Sequence, residues 1–299
     1  MYVEAQAWFR REGDSDHEKT DSEILIPCGI FSKGDYSNGE WPTMYGAPVD
    51  SGFAWQDDNC DGHMSLPEFH SFAGFSFFGV WGVYVDEEGT LWVSSEDSWV
   101  IAWSALPELS SCGCLRYNFS APPLVKFVDL PNGLPPLDQV SRVLYVSSID
   151  ALYLTGFTST LINEGNTWGY AGRWVQRYDG FLRGSRSIGP GWMLPWSGTC
   201  SGVCTTDNAK AVAAVDDLFL AVVGESATVY VYNGSTGLLL GTMSVADGGA
   251  AMGGYSGWID IPFALTVSRS ARGELGPGRY VAFVEEDGRQ KIIMYSFIV

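Results

Sequence analysis

The chain has 299 residues, 46% hydrophobic and 14% aromatic with 17% charged, which is ample for a large core and within the range of one all-β domain. Acidic residues outnumber basic ones 35 to 17, and residues 1–68 alone hold 14 Asp and Glu against 4 Lys and Arg, part of a net charge of −18. That balance repels nucleic-acid phosphates and anionic lipid heads, and no stretch approaches the 18 consecutive apolar residues of a membrane span.

In chain order, Met1–Trp8 lacks the basic run and apolar stretch of a signal peptide and reads as the middle of a strand, as in a mature form or a fragment. Strands are predicted near Val3 to Arg10 and Glu23 to Phe31, so residues 1–56 form N-terminal strands or a partial repeat. Trp41-Pro42-Thr43-Met44-Tyr45-Gly46-Ala47-Pro48, with Gly52 behind it, disfavours a helix there.

Residues 57–68 read Asp57-Asp58-Asn59-Cys60-Asp61-Gly62-His63-Met64-Ser65-Leu66-Pro67-Glu68. Calcium takes six to eight oxygens, and an EF-hand loop supplies them from positions 1, 3, 5, 7, 9 and 12. Those positions hold Asp57, Asn59, Asp61, the His63 carbonyl, Ser65 and Glu68. Gly62 stands at position 6, where the turn demands positive φ. Met64, at position 8, is placed to pin the loop to a core. Asp, Asn, Gly and Ser also build ordinary solvated turns, but those turns do not require this complete pattern. Ca2+ is therefore the expected ion. Flanks without helices and the lack of a second loop favour a structural staple over a sensor that opens a groove.

The six cysteines are Cys28, Cys60, Cys112, Cys114, Cys200 and Cys204, and their C-x-C and C-x3-C spacings do not suit zinc. The even count points to disulfides, with Cys200–Cys204 a candidate short loop, while buried free thiols are the other reading. Asn118-Phe119-Ser120 and Asn233-Gly234-Ser235 match the glycosylation acceptor pattern, which is common by chance.

From residue 77 to 299 a unit repeats. Leu91-Trp92-Val93, Leu152-Tyr153-Leu154, Leu218-Phe219-Leu220 and Val281-Ala282-Phe283 are equivalent strand cores starting 61, 66 and 63 residues apart. Three follow an acidic approach, at Asp86, Asp150 and Asp216-Asp217. Each is followed by a strand ending in an aromatic: Val100 to Trp103, Trp174 to Tyr178, Val229 to Tyr232 and Ile292 to Tyr295. Such a period predicts an all-β propeller of about five blades, four in 77–299 and one from 1–56, with the loop at 57–68 as an insert. The alternative is a β-sandwich.

The runs Ile24-Leu25-Ile26-Pro27, Trp41-Pro42 and Ala54-Trp55-Gln56-Asp57 through Gly62 and Glu68-Phe69 carry a resemblance, as do Gly257-Trp258-Ile259-Asp260-Ile261-Pro262, Phe283 to Asp287 and Ile293-Met294-Tyr295. Over about residues 22–299 the chain resembles secreted NHL-like β-propeller proteins with an EF-hand-type calcium loop between blades. The resemblance implies fold, calcium and an extracellular or cell-surface setting, and little about activity. In that group a Gly is common where Cys60 stands, and the chain is short of blades for a closed ring.

No Ser-His-Asp triad is suggested, because His17, His63 and His70 all lie in or before the calcium region. The polar-aromatic run Asn163 to Tyr170, followed by Arg173, Arg177, Tyr178 and Asp179, has the residue types that grip sugars. Arg173 with Tyr178 would suit a polysaccharide lyase, and Glu164 with Asp260 a glycoside hydrolase. The competing reading is that these aromatics pack blade on blade and the arginines pair with carboxylates. The expected function is a calcium-binding extracellular recognition scaffold with a glycan or protein partner; the alternative is a carbohydrate-active enzyme.

Overall fold

Short apolar stretches cut by Gly, Asp and Asn turns have too little helical period to bury a helix face, so they satisfy their backbone groups by pairing sideways. The computed structural model describes residues 5–11, 25–32, 38–39, 42–49, 51–72, 82–94, 100–106, 108–121, 123, 125–126, 137–158, 160, 171–195, 209–223, 227–245, 264–270, 278–286 and 291–299. Among the described residues, nineteen strands form five separate antiparallel sheets, each built in chain order. A two-sheet sandwich does not describe them.

The first sheet holds β1 (Ala5–Arg11), β2 (Leu25–Ser32), β3 (Phe53–Gln56) and β4 (Phe69–Ser71). The second holds β5 (Val83–Val85), β6 (Leu91–Ser94), β7 (Val100–Trp103) and β8 (Val125–Lys126). The third comprises β9 (Gln139–Val146), β10 (Ala151–Phe157), β11 (Trp174–Asp179) and β12 (Ser187–Met193). The fourth comprises β13 (Ala209–Val215), β14 (Leu218–Val223), β15 (Val229–Asn233) and β16 (Leu239–Met243). The fifth has three strands, β17 (Leu265–Arg269), β18 (Arg279–Glu286) and β19 (Lys291–Ile298).

The four repeated cores fall on β6, β10, β14 and β18, the second strand of sheets two to five, and the aromatic-ended segments fall on the third strands β7, β11, β15 and β19. One boundary differs from the expectation. The first sheet does not stop at residue 56 but continues through residues 57–68 into β4, so the loop lies inside a sheet and not between two. The three residues of β4 carry too little alternation to be read as a strand in isolation.

The chain divides into two compact units, Met1–Gly133 and Leu134–Val299. In the first, Phe31 and Phe72 of the first sheet's side pack on Trp103 of β7, with ring centroids 6.2 and 5.2 Å away. In the second, Tyr153 of β10 and Trp192 of β12 each lie 5.4 Å from Phe219 of β14. Sheets four and five share an aliphatic core that includes Leu220, Val229, Ala282, Val284 and Ile293. The first strands β9, β13 and β17 of its three sheets adjoin in sequence order.

The acidic approaches take up the turns between first and second strands. The buried Asp86 carboxylate accepts the N–H groups of Glu88 and Thr90 and the Trp92 indole N–H, at 2.9, 2.8 and 2.8 Å. Asp150 and Asp216 occupy left-handed positions (φ 50° and 48°) that Asp tolerates better than most residues.

Candidate metal centre

β3 delivers the chain into the loop with its pairing still running, since the Asp57 N–H donates to the Cys28 carbonyl at 2.9 Å. Asp57 is thereby 1% exposed, and its carboxylate folds back over the turn. One oxygen accepts the Asp61 N–H and the other the Gly62 N–H, each at 3.1 Å. Asn59 accepts the Asp61 N–H at 2.9 Å, and Asp61 accepts the His63 N–H at 2.7 Å. Gly62 has φ 72°, the left-handed conformation its position requires.

The exit is a single 3-10 turn, Leu66–Glu68, leading directly into β4. Glu68, 3% exposed, points back under the loop. It accepts the Ser65 N–H (3.0 Å), the Ser65 hydroxyl (2.8 Å), the Asn59 N–H (3.4 Å) and the buried Trp55 indole N–H (3.2 Å). Strand in and 3-10 turn out replace the two helices of a signalling hand. Met64 is half-buried, and His63, offered only for its carbonyl, is exposed.

Two buried carboxylates thus meet on one loop, and among the described residues no Lys or Arg forms an ion pair with either. Burial pushes the Asp57 carboxyl up from its ordinary range, and the charge of Glu68 adds to the push against the lowering N–H of Gly62. Among the described residues, no three acidic, histidine or cysteine side chains already converge as an ion's ligand shell. The oxygen donors, the glycine and the buried charge all fit a hard cation such as calcium.

Cys60 has φ 66°, a conformation that favours glycine. Its disulfide to Cys112 holds it there, and a second disulfide joins Cys28 to Cys114. The C-x-C pair therefore reaches two different elements of the first sheet. Beside it Arg116 pairs with Asp58 at 2.8 Å, and the buried Tyr117 N–H donates to Gln56 at 2.7 Å. Residues 110–117 clasp the loop. The even cysteine count hinted at bridges, but spacing carries no information about which sulfurs meet. Cys200 and Cys204 lie outside the described residues.

Of the catalytic candidates, Glu164 and Asp260 lie outside the described residues, as do Asn163 to Tyr170. Tyr178 is 0% exposed; its ring packs at 6.3 Å from Phe181, and burial pushes its phenol far up. Such a side chain is not presented to a polysaccharide. Arg173 is half-buried just ahead of β11, five positions away, and successive strand residues face opposite ways, so the structure does not bring the two together. Arg177, with 8% side-chain exposure, ties sheets three and four instead. It pairs with Asp179 and Asp217 and donates to the Tyr153 hydroxyl at 3.0 Å.

No family model and no curated protein matches the chain. It is similar to a solved protein from Lactobacillus plantarum (10% identity, TM-score 0.40, covering 90% of this chain and 66% of that one). It is also similar to the glutaminyl cyclase of Myxococcus xanthus (12%, 0.38, 83% and 83%). A third similarity is to the WD40 domain of SCAP from fission yeast (12%, 0.34, 83% and 51%), of which the chain spans about half.

Proposed function

We propose that this chain is a β-propeller whose first sheet is clipped by structural calcium, and that it serves as an extracellular recognition scaffold. The observation that carries the metal is the meeting of the buried Asp57 and Glu68 carboxylates on a loop of the matching pattern. Asp57, Asn59, Asp61, the His63 carbonyl, Ser65 and Glu68 would hold the ion. Calcium would supply the positive charge that offsets two buried anions. The loop sits within one hairpin, bridged to Cys112, so binding tightens it and has no helix pair to swing.

The propeller reading rests on five sheets in chain order, with equivalent second strands and with β9, β13 and β17 adjoining. Two disulfides support an oxidising, extracellular compartment. The enzyme reading gains nothing from the positions of Arg173 and Tyr178, so a glycan or protein ligand held without turnover is the better account.

Calorimetric titration of metal-free protein with Ca2+ tests the site. Saturable binding to one equivalent is expected, and Glu68→Gln should weaken it at least tenfold, since the bidentate charge is lost. A flat wild-type titration would defeat the proposal. Product release from a panel of uronic-acid and neutral glycans would overturn the scaffold half alone.

A further inference from the structure

The four cysteines of the first unit gather their sulfurs in one place. Cys28–Cys114 and Cys60–Cys112 lie side by side, with the Cys112 and Cys114 sulfurs 3.6 Å apart. Gly113 between them has φ 81°. The turn is closed by the Gly113 N–H to the Ser110 carbonyl and the Ser110 N–H to the Cys114 carbonyl, each at 2.9 Å.

The two bridges differ in access. Cys28 and Cys114 are 0 and 2% exposed, whereas Cys60 is half-buried between exposed Asn59 and Asp61. An outside thiolate must reach a sulfur to break its bond, so access ranks Cys60–Cys112 first. The bridges differ in neighbours as well. The Ser110 hydroxyl accepts the Cys114 N–H at 3.0 Å and lies 2.9 Å from the Cys112 sulfur. A disulfide sulfur has no hydrogen, so the hydroxyl is the donor to it. That bond strengthens as the sulfur becomes a thiolate, which makes Cys112 the better leaving group.

We propose that Cys60–Cys112 is a thiol–disulfide exchange site, opened by a dithiol reductant, and that its opening loosens the calcium loop. The reductant's thiolate attacks the Cys60 sulfur, the S–S bond breaks, and Cys112 leaves as a thiolate and takes up a proton. The reductant's second thiol then closes on the mixed disulfide and releases Cys60. The reductant ends as a disulfide, and the protein has gained two electrons and two protons. Freed Cys112 lies beside Cys114, so the remaining bridge exchanges among Cys28, Cys112 and Cys114 with no further electrons. Cys60, held at φ 66° by its bridge, is then released within the ligand loop. The loosening rests on the calcium reading; the exchange chemistry does not.

The test holds the oxidised whole chain in dithiothreitol buffers of graded poise, alkylates free thiols and maps the labelled peptides by mass. The first species to lose a bridge should carry label on Cys60, with one bridge left among Cys28, Cys112 and Cys114; Cys200 and Cys204 are read on their own peptide. Ser110→Ala should slow the labelling of Cys60 at least threefold, and Ser110→Thr should restore the rate. Binding and reduction are reciprocal, so saturating Ca2+ should move the poise for opening by about 30 mV toward reducing for each tenfold loss of calcium affinity. Label on Cys28 and Cys114 while Cys60–Cys112 persists, or both bridges lost together, would overturn the exchange site. A chain that binds Ca2+ with no movement of that poise would overturn the loosening. A flat titration of the oxidised chain would remove the calcium reading and the loosening with it, while the labelling order still decides the exchange site.

Discussion

Glu68 is the residue on which the candidate site turns, because a buried carboxylate with four donors and no cation is stable only while those donors hold. Trp55→Phe keeps most of the ring volume and removes the indole N–H. It should destabilise the metal-free protein by about 1–3 kcal/mol in urea titrations. An unchanged midpoint would show that the indole bond carries no weight. Asp150 is the opposite case. Burial pulls its carboxyl up, but the Leu182 N–H, the Tyr145 hydroxyl and the N–H and charge of Arg183 outweigh that and hold it below the ordinary value. A depressed pKa means stability present above the unfolded-state value of about 3.9 and lost as pH falls through the lower folded value. Asp150→Asn should therefore lower stability by about 1–2 kcal/mol at pH 7, with the deficit shrinking on acidification. A deficit equal at pH 7 and pH 3 would sink this account. At this scale the turn at 57–68 was legible, because residue type and spacing are local. The burial of Tyr178 was not, since a Tyr at the end of an alternating run has the same sequence signature inside or out.

Elements show the same division. The second strands β6, β10, β14 and β18 were legible as apolar triplets at a steady period, because each fills an equivalent place inside its own sheet, flanked by strands on both sides. β4 was not, being three residues whose only reason to be a strand is β3 beside it. The disulfides tie elements 86 and 52 residues apart. On the loop-entropy account, opening Cys60–Cys112 as a Cys60→Ser/Cys112→Ser double variant should cost about 4 kcal/mol. It should also weaken calcium binding, since the backbone at position 60 would then have to hold φ 66° without the bridge. Calorimetry matching wild type in affinity would separate the bridge from the loop. The turn joining β15 to β16 makes a sharper case. A methyl added at Gly234 would drive into the Tyr153 hydroxyl and come within 3.2 Å of the Arg177 guanidinium. Gly234→Ala should thus destabilise by about 1–3 kcal/mol, read by thermal melts, through strain on the Arg177–Asp217 tie.

For the whole molecule, calcium bound as proposed would act by mass action on the folded state alone. At about one hundred times its dissociation constant it would add ~2.7 kcal/mol, roughly a 5–10 °C rise in melting temperature for a unit of this size. Chelation should reverse that rise while leaving the far-ultraviolet spectrum unchanged; a large spectral change would indicate a switch in place of a clip. Composition, the twelve-residue pattern at 57–68 and the period of the strand cores are each written locally, so the sequence by itself determined an all-β chain of repeated sheets with a tight acidic turn at 57–68. Which sulfurs pair, that the loop lies within a sheet and that Arg177 serves two sheets were decided only by tertiary structure. Those facts depend on which distant segments come within a few ångströms of each other, and no window of sequence holds that distance.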